Sequence, residues 1–369
     1  MNKAIFVHVG PPKTGTSAVQ KWFSQNVKLL HEKGIYYPSH DIDQNGVSSG
    51  NMRTIYDVNS EKHIDLNINR LNSLLEDFRN SNCHILFLSS EYFFRGMIDL
   101  KLHIPDAKFI AYLRNPMEIK ESSYNQSVKR HFQQRILNVG RSKQLPYMDR
   151  FVNYVNEYGT DDLILRLYGS RYFKNGSIVS DILNQLGVEL DIDLPLVNRS
   201  YQFEALEFKR WFNQFEFEQY QVMVDRALQN YNLGSSNYSL IPTQKYKDDS
   251  RYYSQLIKDY SVNLSVNSLD PLVEDMQEAS PNCYLKQELT QDAFLSVCHF
   301  LQATLKVDYY RLTLSVSKSE KIENDAFRQS FIKTCEEKYK FLFWFSLARS
   351  KARSGFKMLK QKAKYLWYR

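Results

Sequence analysis

Lys13, Arg114 and Glu91 are the residues around which chemistry can be built. Lys13 lies in GPPKTGTS (Gly10–Ser17), between the apolar run Ile5–Val9 and a helical pattern beginning at Ser17. Gly10 and Gly15 keep the glycine spacing of the common phosphate loop, G-x-x-x-x-G-K-[ST], but Thr16 stands where that loop has its lysine. A glycine-rich turn gathers backbone N–H groups around an anion, and the helix N-terminus behind it adds partial positive charge. Thr14, Thr16 and Ser17 add hydroxyl donors, and Lys13, placed in the loop, can reach a bridging oxygen and the group beyond it. Pro11 and Pro12 carry no N–H, so binding falls to residues 13–17, Gly15 included. An ordinary strand–turn–helix is the alternative, but strand, glycines, lysine and hydroxyls all occur in the order an anion site needs.

Arg114 opens a second constellation, FIAYLRNPMEIKESSYNQSVKRHF (Phe109–Phe132). It closes a strand-like run. Asn115 then suits a helix N-cap and Pro116 a first helical position. Ser122 follows Arg114 by eight residues, a little over two turns up that helix. A forked permanent cation and a neutral hydroxyl could converge on one dianion. A surface arginine beside a capped helix is the other reading of Arg114 taken alone. A magnesium-dependent kinase or nucleotide hydrolase usually also has an acid at a neighbouring strand end to hold the metal. Here the second strand run ends in Ser89-Ser90-Glu91 and the third in Leu113-Arg114-Asn115. Glu91 could stand in for that acid and Arg114 could not, which counts against both classes.

Together these stretches resemble the sulfotransferases that use 3′-phosphoadenosine 5′-phosphosulfate (PAPS), most closely their bacterial carbohydrate-type members. Pro12-Lys13-Thr14-Gly15-Thr16-Ser17 is similar to that family's phosphosulfate loop. Arg114, Asn115, Pro116 and Ser122 are similar to its 3′-phosphate motif. Gly34–Pro38 (GIYYP), Tyr112–Lys129, Leu165–Val188 and Asn198–Ser200 extend the likeness over about residues 4–210. The resemblance implies PAPS as co-substrate and no metal ion. It gives Lys13 the charge on the leaving bridge oxygen, and it gives Arg114 and Ser122 the 3′-phosphate. Arg199 is a candidate second cation there. An acceptor hydroxyl gains from a general base. Glu91 is the first candidate, as base or as an acid orienting Lys13. His40 is the second, or an exposed loop histidine. Arg166 and Tyr168, near the end of the fourth strand run, could line the cleft, although Arg166 equally suits a core ion pair.

The elements that must position these residues follow from periodicity. Apolar runs at Ile5–Val9, His84–Ser89, Lys108–Leu113 and Asp162–Tyr168 suit strands of a parallel sheet buried on both faces. Helical patterns at Ser17–Lys33, Ile68–Asn80, Glu118–Gln134, Tyr147–Tyr158 and Ser177–Leu186 alternate with them. The alternation predicts an α/β fold: three layers, α/β/α, with a central, mostly parallel, P-loop-like sheet and a helical C-terminal portion. Helices are also expected in the stretch from Glu204 to Val224, at Tyr253–Leu264 and at Glu288–Leu305, with a polar linker over Ser315–Asp325. The expected organisation is a sulfotransferase domain over 1–310, with a PAPS-binding core to residue 200 and a helical completion after it. A tail occupies 311–369.

Four scattered cysteines make neither a zinc signature nor a disulfide framework, and the simplest home is a reducing cytoplasm. The +7 charge is uneven: residues 341–369 carry eight basic side chains and no acid, leaving the other 340 residues at −1. A near-neutral body argues against nucleic acid as partner. The tail mixes Phe, Trp, Leu and Tyr with those cations and suits peripheral contact with an anionic membrane face, or a helix packed on the body. Expected acceptors are glycans, in a surface polysaccharide or linked to lipid. A small-molecule acceptor and a non-catalytic nucleotide-binding module are the alternatives.

Overall fold

Four apolar runs and one short stretch that periodicity missed form a single parallel sheet. In the computed structural model, which describes residues 3–40, 50–58, 64–190, 200–264, 268–319 and 325–336, the strands are β1 (Ala4–Val9), β2 (Ile35–Tyr36), β3 (Ile85–Ser90), β4 (Ala107–Leu113) and β5 (Leu163–Leu167). Their order is β2-β3-β1-β4-β5, and every neighbouring pair is parallel. β3 is buried along its whole length and β4 at all but one position, so neither alternates. β2 has only two residues, too few for a period to show.

Helices cover both faces. They include α1 (Thr16–Gln25), α2 (Ile68–Asn80), α3 (Pro116–Arg130), α4 (Pro146–Tyr158) and α5 (Ile178–Gln185). Phe6, Phe87, Ile110 and Tyr112 share a core cluster with Val19 and Phe23 of α1 and Ile178 and Ile182 of α5. Phe109, on the opposite pleat, meets Tyr154 of α4 at 5.5 Å between ring centres. The chain is therefore a three-layer α/β fold, with further helices toward its C-terminus.

The helix starts obey their caps. Asn115 accepts from the Met117 amide at 2.9 Å, with Pro116 first in α3. Ser177 caps α5 in the same way. The expected single helix over Ser17–Lys33 is instead broken. The Asn26 side chain donates to the Trp22 carbonyl at 2.8 Å, taking the acceptor its own amide would use, and that amide bonds Phe23 instead. A short helix, Val27–Glu32, follows. The expected helix over Glu118–Gln134 stops at Arg130, two residues before Phe132 enters the left-handed region at φ 52°.

The chain forms two compact units. The first comprises Met1–Ser123, Val139–Val197 and Ile241–Pro281, and holds the sheet. The second comprises Tyr124–Asn138, Asn198–Leu240 and Asn282–Arg369. Within the second, α6 (Phe203–Phe212) packs Phe208 and Trp211 against Phe294 of the helix Gln291–Leu305, at 5.2 and 4.8 Å. The helix Val307–Ser317 occupies the start of the stretch expected as a linker. Arg328 donates to its terminal carbonyls at Val316 and Ser317.

Candidate active site

The strand order creates the site. β1 leads through α1 toward β2 on one side, and β4 leads through α3 toward β5 on the other. Connections from these adjacent strands therefore diverge, and such a switch point leaves a crevice outside their carboxyl ends. Lys13 and Arg114 emerge there. Arg114 Nη1 donates to the Lys13 carbonyl at 3.0 Å, although 101 positions separate them in sequence.

The loop is shaped for an anion. Lys13 has φ 70° and Gly15 φ 80°, two left-handed residues flanking Thr14. Such alternation turns successive N–H groups to one side, and left-handed lysine is a strain that functional loops tolerate. At Gly15 a Cβ would come within 2.9 Å of Ile178 Cδ1 and 3.0 Å of Tyr168 Cε2. At Gly10 it would lie 2.0 Å from Thr16 Cγ2. A side chain at either glycine would therefore displace a neighbour, and at Gly15 the left-handed backbone itself disfavours one. The hydroxyls divide. Thr14 is fully buried and donates to the Pro11 carbonyl at 2.6 Å. Thr16 donates to Glu91 Oε1 at 2.5 Å. Ser17 is exposed in the first turn of α1, where helix amides have no intrahelical partner.

Glu91 arrives by register. Val9 pairs with Ser90, so the loop and Glu91 leave the sheet side by side. Glu91 is exposed, and its second carboxylate oxygen has no protein partner among the described residues.

Arg114 is held on three sides. Its Nε donates to Glu118 Oε2 at 2.9 Å, its Nη1 to Lys13, and its guanidinium lies 4.8 Å from the Tyr168 ring centre. Ser122 is half-buried one turn beyond Glu118, on the same stripe of α3. Tyr246, on the helix Thr243–Asn263, is buried nearby. Burial, then the charges of Glu118 and Glu121, push its phenol well above the usual range, so it stays protonated at neutral pH.

Arg166 takes the core role. Its Nη2 and Nε grip the two oxygens of fully buried Asp181 at 2.6 and 3.0 Å, which also accepts from the Tyr112 hydroxyl at 2.8 Å and the Lys174 amide at 3.0 Å. Tyr168 is the residue of that strand end that reaches the crevice.

His40 stands edge-on to the Tyr37 ring at 5.7 Å. Its segment is moored to β3 by Asn51, which is fully buried. Asn51 exchanges 3.1 and 2.9 Å bonds with Ser89 and donates to the Pro38 carbonyl at 2.7 Å. Gly50 makes this approach possible, since a Cβ would fall 1.8 Å from the Ser89 carbonyl oxygen. Arg199 and the basic tail, 341–369, lie outside the described residues.

The crevice therefore joins the Lys13 loop, Glu91 and Arg114, with Ser122 on the Arg114 side. Sequence reasoning passed over Glu118, Tyr246 and Asn51. An acid four residues after a key arginine, at the start of a capped helix, was an available signal for Glu118. Tyr246 and Asn51 act across distances that no local pattern encodes. Among the described residues there is no group of three or more His, Cys, Asp or Glu side chains able to hold a metal ion, and no helix long and apolar enough to cross a membrane.

No family model matches the chain. An uncharacterized protein of Archaeoglobus fulgidus is 32% identical over 104 residues, 28% of this chain and 27% of that one. The chain thus spans about a quarter of the curated relative it matches. Among solved structures, a sulfotransferase from Alicyclobacillus acidocaldarius aligns at TM-score 0.32 and 16% identity, over 63% of this chain and 98% of its own. Retinol dehydratase in a complex with retinol and PAP aligns at TM-score 0.19 and 12% identity, over 88% and 84%. The fold is defined by this chain's own strand order.

Proposed function

We propose that the chain is a sulfotransferase that moves a sulfuryl group from PAPS to a hydroxyl or amine of a carbohydrate, in a bacterial surface polysaccharide or a lipid-linked glycan. One observation carries the reading. The Arg114–Lys13 bond brings an anion loop and a separate arginine–serine motif to the same crevice. A nucleotide with phosphate groups at both ends of its ribose needs such a pair of sites.

The residues fit that co-substrate. The left-handed turns at Lys13 and Gly15 leave a cradle for a phosphosulfate, and Arg114 and Ser122 would hold the 3′-phosphate, with Arg199 as a second cation. Glu91 takes the proton of an acceptor hydroxyl as the acceptor oxygen bonds to sulfur. Lys13 receives the charge left on the bridging oxygen when its bond to sulfur breaks. Alignment and charge neutralisation are most of what such a transfer asks of a protein. His40 is the alternative base. The reaction as written needs no metal ion.

The carbohydrate acceptor rests on the resemblance of GIYYP and of Tyr112–Lys129 to bacterial carbohydrate-type enzymes. Tyr92, Phe93 and Phe94 follow Glu91, but Phe93 and Phe94 are buried, which leaves half-buried Tyr92 to meet a sugar face. The basic tail suits peripheral contact with the inner face of the cell membrane. Transfer of label from PAPS onto the host's own glycans and glycolipids, beside a panel of small phenols and alcohols, tests the reading. Labelled saccharide is the expected product. Label only on small molecules would move the acceptor class, and no label anywhere would remove the activity.

A further inference from the structure

Among the arginines that pair with carboxylates in the described residues, Arg166 and Arg210 use a full guanidinium edge and Arg114 uses part of one. Arg166 presents Nε and Nη2 to Asp181, and Arg210 presents the same edge to Glu207. That edge is the one that forms paired bonds with a carboxylate or phosphate. Arg114 gives Glu118 only Nε, and no bond from its Nη2 is formed among the described residues. Glu118 also differs in setting. Asp181 and Glu207 have fully buried side chains, while that of Glu118 is 44% exposed and linked to Arg114 only at i,i+4 spacing. A carboxylate so placed leaves easily, because water receives it and little side-chain packing is lost.

We propose that Glu118 is a built-in placeholder for the nucleotide's 3′-phosphate: it occupies half of the Arg114 edge and yields it to a dianion that takes both Nε and Nη2. This rests on the sulfotransferase reading for the identity of the ligand, though not for the displacement. Glu118 keeps Arg114 paired and aimed at the crevice while the site is empty. It also sets a threshold, since an incoming group must out-compete a carboxylate. A phosphate that offers two charges and several oxygens does so, whereas a ribose hydroxyl does not. Glu118 is then a specificity-determining residue rather than a catalytic one. Ser122, one turn along the same stripe, is placed to meet the phosphate that replaces it.

The test compares wild type, Glu118→Gln, Arg114→Ala and the double variant. Binding of 3′,5′-ADP and 5′-AMP is read by calorimetry, and binding of inorganic phosphate by thermal shift. Glu118→Gln should tighten 3′,5′-ADP and phosphate by about two- to fivefold, the worth of a partly exposed ion pair, and leave 5′-AMP unchanged. On the Arg114→Ala background it should change nothing. Equal or weaker binding of both ligands to Glu118→Gln would overturn the proposal, as would the same gain without Arg114. If 3′,5′-ADP binds no form but the Arg114-dependent phosphate gain persists, the placeholder stands and the sulfotransferase reading falls.

Discussion

Thr16 donates its hydroxyl hydrogen to Glu91 across 2.5 Å, joining the first residue of α1 to the end of β3. The anion loop and the candidate base are therefore one mechanical unit. The bond uses one oxygen of an exposed carboxylate and leaves the second without a protein partner among the described residues.

Glu91→Gln retains an oxygen that can accept from Thr16 but removes the base. The expected result is a fall in kcat of about 10²- to 10⁴-fold, with an unchanged melting temperature and unchanged affinity for 3′,5′-ADP. Near-normal turnover would assign Glu91 to positioning and return attention to His40.

Lys13→Ala removes the cation expected at the leaving oxygen. Single-turnover transfer from PAPS should be abolished while part of the 3′,5′-ADP affinity remains. If instead affinity fell sharply while transfer at saturating PAPS stayed normal, Lys13 would be a binding residue only.

Asp181→Ala leaves Arg166, Tyr112 and the Lys174 amide without their shared acceptor. Breaking one side of a buried ion pair costs about 3–5 kcal/mol, so the urea midpoint should drop sharply. A loss below about 1 kcal/mol, the range of an exposed pair, would mean that water enters this cluster.

His8 is fully buried on β1, with Nδ1 2.9 Å from Ser89 Oγ, and burial lowers its pKa from 6.5 to about 3. Between those values the unfolded chain binds the proton that the folded chain refuses. The contribution is thus present above pH 6.5 and is lost as pH falls toward 3. The loss approaches about 1.4 kcal/mol per pH unit, or about 2 kcal/mol at pH 5. Between pH 7 and pH 5 the wild type should lose about 2 kcal/mol of stability relative to His8→Leu, read from denaturant midpoints at pH 7, 6 and 5. Parallel trends would show that His8 accepts a proton in place.

The α/β class was legible because four strands are apolar almost throughout, a pattern that only a doubly covered sheet requires. Asn115, Pro116 and Ser177 announced their helix starts for equally local reasons. β2 was invisible because two residues carry no period. The break at Asn26 was missed because one side-chain bond outweighs a helical pattern that continues on both sides of it. Lys13, Glu91 and Arg114 could be named from sequence because each follows a readable strand. Their convergence could not, because it depends on β1 being threaded between β3 and β4. The choice between a core and a cleft role for Arg166 was decided by Asp181, fifteen residues away on a different element.

Use of PAPS requires Arg114 to read a phosphate that ordinary adenine nucleotides lack. Calorimetric titration of the purified protein with 3′,5′-ADP, 5′-AMP and ATP-Mg, repeated on Arg114→Ala, tests this most directly. A strong preference for 3′,5′-ADP that disappears in the variant is the predicted result. Equal affinities, or a preference for ATP-Mg that Arg114→Ala leaves intact, would contradict it.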